Sequence, residues 1–197
     1  MSLDVCILAG GLGTRLAGIW DGPKCLVPVA GKPVLLRLEE QIAQLSPRKV
    51  CLALGHLSRE IIRWTATIES PPFHVWCYSI ETEPLGTLGA LRLAVDRAQL
   101  KAPLLVLNGD TLPGYDLARL VAFHHRMGDI GASAAWCEGK YAGAAVLNDA
   151  FLQHPTSYEE RDLEQLLTTA THYYVPGFLD VGTPDDFYRA QHLKGYP

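Results

Sequence analysis

The sequence predicts an α/β fold with a mostly parallel central sheet and helices on both of its faces. Two observations predict it. Short apolar runs alternate with amphipathic stretches in a βαβα rhythm as far as Met127. The glycines Gly10, Gly11 and Gly13 follow the first apolar run directly, and ligands in such sheets gather at the carboxyl ends of strands.

The elements follow in order. Leu3–Ala9 reads as a buried strand that ends in Gly10-Gly11. Pro33–Leu45 reads as a helix with proline in its first turn. Val50–Leu54 is a second strand, and Ser58–Ile68 a helix with Ser58 as its cap. Phe73–Ser79 is a third strand. Thr87–Gln99 is a helix with Leu88, Leu91, Val95 and Ala98 on one face. Pro103–Leu107 is a fourth strand, closed by Asn108-Gly109-Asp110, and Asp116–Met127 a helix. The second half is less regular. Strands are expected at Ala132–Cys137 and Ala142–Leu147, joined by Glu138–Tyr141. A helix at Tyr158–Ala170, short strands at His172–Val175 and Phe178–Val181, and a closing helix at Pro184–Leu193 complete the chain.

A chain of 197 residues fits one domain, 1–197, and buries roughly 70% of its unfolded surface without help from a disulfide or structural metal. The net charge of −4 exerts no long-range pull on nucleic acid or an anionic membrane. An anionic substrate therefore needs local cations. Cys6, Cys25, Cys51, Cys77 and Cys137 are scattered without C-x-x-C spacing and read as buried, reduced thiols of a cytoplasmic protein. No apolar run approaches the ~18 residues of a membrane span, and Asp4 comes too early for a signal peptide.

The segment Leu8-Ala9-Gly10-Gly11-Leu12-Gly13-Thr14-Arg15-Leu16 carries the chemistry. Its glycines let backbone N–H groups approach phosphate oxygens. Arg15 adds a fixed cationic fork, and Lys24, after Pro23, a second cation. The P-loop spacing is absent, and Leu16 stands where a dinucleotide fingerprint needs its third glycine. Asp110 and Asp180 are the carboxylates suited to a magnesium ion, which favours one or two carboxylates plus phosphate oxygens and water.

Four segments in order resemble the sugar-1-phosphate nucleotidyltransferases, or sugar-nucleotide pyrophosphorylases. They are Leu8–Leu16 with Pro23-Lys24, Glu83-Pro84-Leu85-Gly86-Thr87-Leu88-Gly89-Ala90, Leu107-Asn108-Gly109-Asp110, and Phe178–Pro184. The resemblance implies a Rossmann-like three-layer α/β/α fold of GT-A-like type. It implies a nucleotide-binding part over about 1–115 and a shortened sugar-binding part over about 116–197. It assigns catalysis to Arg15, Lys24 and Asp110, with Arg15 on the departing β,γ-phosphates and Lys24 on the reacting phosphates. It assigns nucleotide binding to Leu8, Ala9, Gly10, Gly11, Gly13, Thr14, Glu83, Gly86 and Thr87, and sugar contacts to Asn108, Gly143 and Glu160. Asp110 and Asp180 would hold Mg²⁺.

The implied reaction joins a nucleoside triphosphate to a sugar 1-phosphate and releases pyrophosphate. Guanine offers adjacent N1–H and 2-amino donors to a carboxylate such as Glu83, which favours GTP. Within the family the sequence is most similar to the D-glycero-α-D-manno-heptose 1-phosphate guanylyltransferases, which serve surface polysaccharide. N-acetylmuramate 1-phosphate uridylyltransferases and mannose 1-phosphate guanylyltransferases are the alternatives. A regulatory subunit that binds a nucleotide sugar is the non-enzymatic one. A homodimer is compatible with the sequence.

The chain departs from the family after Asp110. An extra hairpin and a Glu-Lys-Pro element are missing, and Tyr141-Ala142-Gly143 replaces Asn-Ala-Gly. His124-His125 reads as a pair of helix-face histidines, and the tryptophans as packing, with Trp20 also placed to cover a nucleotide.

Overall fold

A computed structural model describes residues 2–68, 76–128, 131–153 and 162–192. The first strand, β1 (Asp4–Ala9), leads through the short pair β2 (Pro28–Val29) and β3 (Lys32–Pro33) to α1 (Val34–Ala43). Then come β4 (Lys49–Leu54), α2 (Ser58–Thr65), β5 (Trp76–Ile80), α3 (Gly86–Ala98) and β6 (Leu104–Asn108). The rest comprises β7 (Thr111–Pro113), α4 (Leu117–Met127), β8 (Ala132–Cys137), β9 (Lys140–Leu147) and α5 (Asp149–Gln153), then α6 (Leu163–Leu167), β10 (Thr171–Tyr174), β11 (Phe178–Asp180) and α7 (Pro184–His192).

The main sheet has seven strands in the order β10-β8-β9-β6-β1-β4-β5. β1 pairs in parallel with both β4 and β6, and β4 with β5. β8 and β10 are also parallel, and β9 alone runs the other way. Both faces of β1 are covered, and Val5, Cys6 and Ile7 are fully buried. That is why the strand reads as a continuous apolar run rather than an alternating one. Val5 and Ile7 join one core with α1, α2, α4 and α7. Cys6 and Leu8 join the other with α3, α5 and α6. The α/β class and mostly parallel sheet expected from sequence are therefore found.

Local chemistry fixes several boundaries. Asp116 caps α4 through Ala118 N (2.8 Å), and Asp162 caps α6 through Glu164 N (2.9 Å). β8 and β9 meet in a tight hairpin at Glu138 and Gly139, both with positive φ (49° and 77°). At the opposite end of β1, buried Asp4 accepts from Arg48 and from Lys101 N, which joins the starts of β1, β4 and β6.

Three expectations are corrected. Ser58 opens α2 but does not cap it; the cap is Leu57, in left-handed conformation (φ 56°) with no side-chain hydrogen bond. Within the described part of Tyr158–Ala170, only Leu163–Leu167 is α-helical. Cys77 and Cys137 are half-buried rather than buried, although all five cysteines are free thiols. Part of the expected strand Phe73–Ser79 lies outside the described residues.

Candidate active site

The chain enters the sheet at β1, builds outward through β4 and β5, then returns to the other side of β1 as β6. Strand order reverses there, and the crevice outside such a reversal is where open α/β sheets bind ligands. A cavity of about 550 Å³ opens there. Its walls come from four strand ends: Leu8 and Gly10 to Leu12 at the end of β1, Gly55-His56 after β4, Glu81–Pro84 after β5, and Asn108 with Asp110 at the end of β6. Gly86, Thr87 and Ala90 of α3 close it.

Glycines allow these strand ends to meet. A Cβ on Gly55 would stand 2.5 Å from Glu81 Oε1 and 2.9 Å from Gly10 O. A Cβ on Gly109 would stand 2.9 Å from Leu8 O. Gly11 differs, because a Cβ there meets nothing within 4 Å although the residue lines the cavity. Gly13 (φ 68°) precedes the 3₁₀ turn Thr14–Leu16, which presents exposed Thr14 and Arg15. Gly86 has φ 75° at the first residue of α3, so the helix amides start at the cavity wall.

A narrower channel continues from the cavity along Ala9, Gly11, Lys24, His56, Gly109 and Asp110. Lys24 Nζ lies 3.1 Å from Asp110 Oδ2, and both side chains are mostly buried. Asp180 reaches the same place from the ribbon of β7 and β11, in which it pairs with Thr111. Val181 N donates to Asp110 O (2.9 Å), which locks the two acidic positions side by side. The Asp180 carboxyl is pushed up to about 6, first by burial and then by the charge of Asp110, with Lys24 and Arg15 opposing. Arg15 Nη2 stands over Gly182, 3.4 Å from where a Cβ would be. Two cations and two carboxylates thus converge from four segments.

Such a carboxylate pair calls for a cation. Among the described residues no cluster of three or more His, Cys, Asp or Glu side chains is gathered to hold a metal. Asp110 and Asp180 alone fit an ion that keeps water and phosphate oxygens as its other ligands.

The remaining assigned residues are placed as follows. Leu8 and Asn108 are register partners on β1 and β6 and line the large cavity, so Asn108 faces that space. Glu83 also lines it, but is exposed. Thr87 lines it and accepts from Leu163 N (2.8 Å), tying α6 to α3. Gly143 is buried with φ 74°, and a Cβ there would lie 2.6 Å from Thr111 Cγ2; its absence lets Thr111 pack. Glu160 lies outside the described residues. Tyr141 is buried against Trp136 (ring centroids 6.2 Å), and neither Tyr141 Oη nor Trp136 Nε1 has a hydrogen-bond partner.

Trp20 is held by packing. Its Nε1 donates to Pro23 O (3.0 Å), and its ring lies 6.5 Å from that of Phe187 on α7. His124 lies on α4 as expected, on its buried face, with Nδ1 3.0 Å from Ser133 Oγ. His125 is exposed.

Among the cavity residues that escape a motif-based reading are His56 and Glu81. Glu81 is half-buried, and its Oε2 accepts from Leu85 N (3.2 Å). The signal for both was positional, since each stands just past the end of a parallel strand.

No helix among the described residues is long and apolar enough to cross a membrane. Residues 5–179 match the family model of the MobA-like NTP transferase domain. A probable mannose-1-phosphate guanylyltransferase 2 of Oryza sativa subsp. japonica is 30% identical over 94% of this chain. A mannose-1-phosphate guanyltransferase of Yarrowia lipolytica is 29% identical over 92% of it. The chain spans 63% of the rice relative's length and 61% of the yeast one's. The crystal structure of HddC from Yersinia pseudotuberculosis complexed with GMP-PN superposes with a TM-score of 0.76 at 26% identity, over 95% of this chain and 97% of that one. A putative glucose-1-phosphate thymidylyltransferase from Bacillus anthracis shares the fold, with a TM-score of 0.79 at 17% identity over 96% of this chain and 94% of that one.

Proposed function

Because the chain belongs to the family of MobA-like NTP transferase domains, we propose that it transfers a nucleoside monophosphate from a triphosphate to a sugar 1-phosphate and releases pyrophosphate. The observation that carries this reading is the meeting of Lys24 and Asp110 in the channel that leaves the glycine-walled cavity, with Asp180 set beside Asp110.

The acceptor's phosphate is already an anion, so no protein nucleophile or base is needed. Catalysis is positioning and charge neutralisation. The base and ribose occupy the large cavity, with the triphosphate over Gly10, Gly11, Gly13 and Thr14. Arg15 binds the departing β,γ-phosphates and Lys24 the phosphates that react. Asp110 and Asp180 would hold Mg²⁺, which supplies charge neutralisation to the triphosphate.

GTP fits the acidic loop best. A carboxylate accepts from both the N1–H and the 2-amino group of guanine, whereas uracil offers one N–H between two carbonyls. Of the two carboxylates there, Glu81 is half-buried and braced by Leu85 N, and Glu83 is exposed. Base reading therefore rests mainly on Glu81, with Glu83 at the rim.

The leading acceptor is D-glycero-α-D-manno-heptose 1-phosphate, which would make the product a precursor of surface polysaccharide. The mannose-1-phosphate guanylyltransferase relatives favour mannose 1-phosphate as the second reading. The two share the manno ring and differ in its exocyclic carbon chain. Incubation with Mg²⁺, each of five nucleoside triphosphates and a panel of sugar 1-phosphates, followed by pyrophosphate release, tests all of this. Release with GTP and a manno-configured phosphate is expected. Release with no pair overturns the enzymatic reading in favour of a nucleotide-sugar sensor.

A further inference from the structure

Three of the five cysteines occupy matching positions on three neighbouring strands. Cys6 is the register partner of Cys51, and Cys51 of Cys77. Register partners on adjacent strands share a face and lie about 4.8 Å apart, within the ~4.4–6.8 Å that a disulfide spans between Cα atoms. The Cys77 thiol donates to the carbonyl of Val50 (3.4 Å), the residue next to Cys51 on β4.

The two thiols are not equivalent. Cys51 is fully buried between β1 and β5, whereas Cys77 is half-buried on the edge strand. The neighbouring Cys51 thiol lowers the Cys77 thiol from its ordinary range, burial opposes it, and the Lys49 cation and the Asp4 charge pull in opposite directions. The Cys77 neighbour, with burial, raises Cys51. Cys6 is pushed up to about 12 by burial. A reachable thiol on an edge strand beside a sheltered second thiol in register with it is the arrangement of an attacking and a resolving cysteine.

We propose that Cys51 and Cys77 form a reversible disulfide when the protein meets a peroxide, which makes this pair a modification site at the root of the nucleotide cavity. The Cys77 thiolate attacks a peroxide oxygen, the O–O bond breaks, and the departing hydroxide takes up the proton lost by the thiol and leaves as water. Cys77 is then a sulfenic acid. Cys51 attacks the Cys77 sulfur, the S–S bond forms, the S–O bond breaks, and a second water leaves with the Cys51 proton. Two thiols have lost two electrons to one peroxide. The bond ties β4 to β5 four residues before each delivers its wall, Gly55 from one and Glu81 from the other. The chemistry does not depend on which group the enzyme transfers.

The test treats the full chain with hydrogen peroxide under native conditions, alkylates remaining thiols and maps peptides by mass spectrometry. The expected result is a Cys51–Cys77 link that dithiothreitol reverses and that forms equally in Cys6→Ser. In Cys51→Ser the reaction should stop at a Cys77 sulfenic acid trapped by dimedone. If that variant does not fold, Cys77→Ser gives the same information, with Cys51 expected to stay fully alkylatable. A Cys6–Cys51 link, a wild-type Cys77 that proceeds to sulfinic acid without linking, or five alkylatable thiols after peroxide would each overturn the proposal.

Discussion

Lys24 and Asp110 stand 86 residues apart in sequence and 3.1 Å apart in space. The pair joins the end of the glycine-rich loop to the end of β6 at the point where the channel leaves the cavity. In a mostly buried pair of this kind the cost of removing both charges from water offsets much of their attraction, so its chief consequence lies in chemistry. Lys24→Ala and Asp110→Asn are each expected to lower kcat by about 100-fold or more while shifting Tm by only a few degrees. Arg15→Ala, at an exposed position, should lose at least about tenfold in rate with Tm unchanged. Pyrophosphate release and thermal melts on the same preparations separate the two effects.

Gly11 and Gly55 should respond oppositely to alanine. At Gly55 the new methyl meets Glu81 Oε1 and Gly10 O at distances no Cβ tolerates. The loops must separate, at a cost of about 1–3 kcal/mol. At Gly11 the methyl meets no protein atom within 4 Å, so stability should hold while nucleotide affinity falls. Chemical denaturation and nucleotide titration of both variants would show the contrast. Equal destabilisation would contradict it.

Base choice is expected to follow Glu81 more than Glu83. Glu81→Gln keeps the size and one acceptor but loses the second acceptor that guanine engages. It should reduce the preference for GTP over UTP by about tenfold, the worth of one hydrogen bond to a charged group. Glu83→Gln, exposed at the rim, should change it by less than about threefold. Competition assays with paired triphosphates measure both.

Stability should fall as pH rises through neutrality, and Glu39 supplies the reason. This α1 carboxylate is fully buried, and neither oxygen has a hydrogen-bond partner. Burial, and then the charge of Glu40, push it up to about 8 from an ordinary value of 4.5. Between those values the folded protein binds more protons than the unfolded chain. The group's contribution is therefore full below about pH 4.5, declines through the interval and levels off above about 8. Glu39→Gln should flatten that slope. Glu39→Leu should stabilise the protein at pH 8 by on the order of 2 kcal/mol. Urea unfolding between pH 5 and pH 9, read against wild type, tests both.

Strands covered on both faces were legible because their apolar runs leave no alternative, as in β1, β4 and β6. The two-residue pair β2–β3 was not, because its register comes from distant packing such as the Gln191 Nε2 bond to Pro28 O (2.6 Å). The helix expected over Tyr158–Ala170 fails after Leu167, where the Thr168 and Thr169 hydroxyls donate back to the Gln165 and Leu166 carbonyls. At the site, Arg15, Lys24, Asp110 and Asp180 were readable as charges following glycine and strand motifs. Their meeting was implied by the family resemblance and not by their spacing, since it depends on β11 pairing with β7. His56 and Glu81 lie in none of the four motifs, and reach the cavity only because β4 ends beside β1 and β5 beside β4.

The residues walling the large cavity all fall between Leu8 and Asp110, whereas Asp180 arrives seventy positions later. A ribosome therefore makes every wall of the large cavity before it makes the second carboxylate. On the proposed reading, chemical competence waits until β11 has been made, reaches β7 and sets Asp180 beside Asp110.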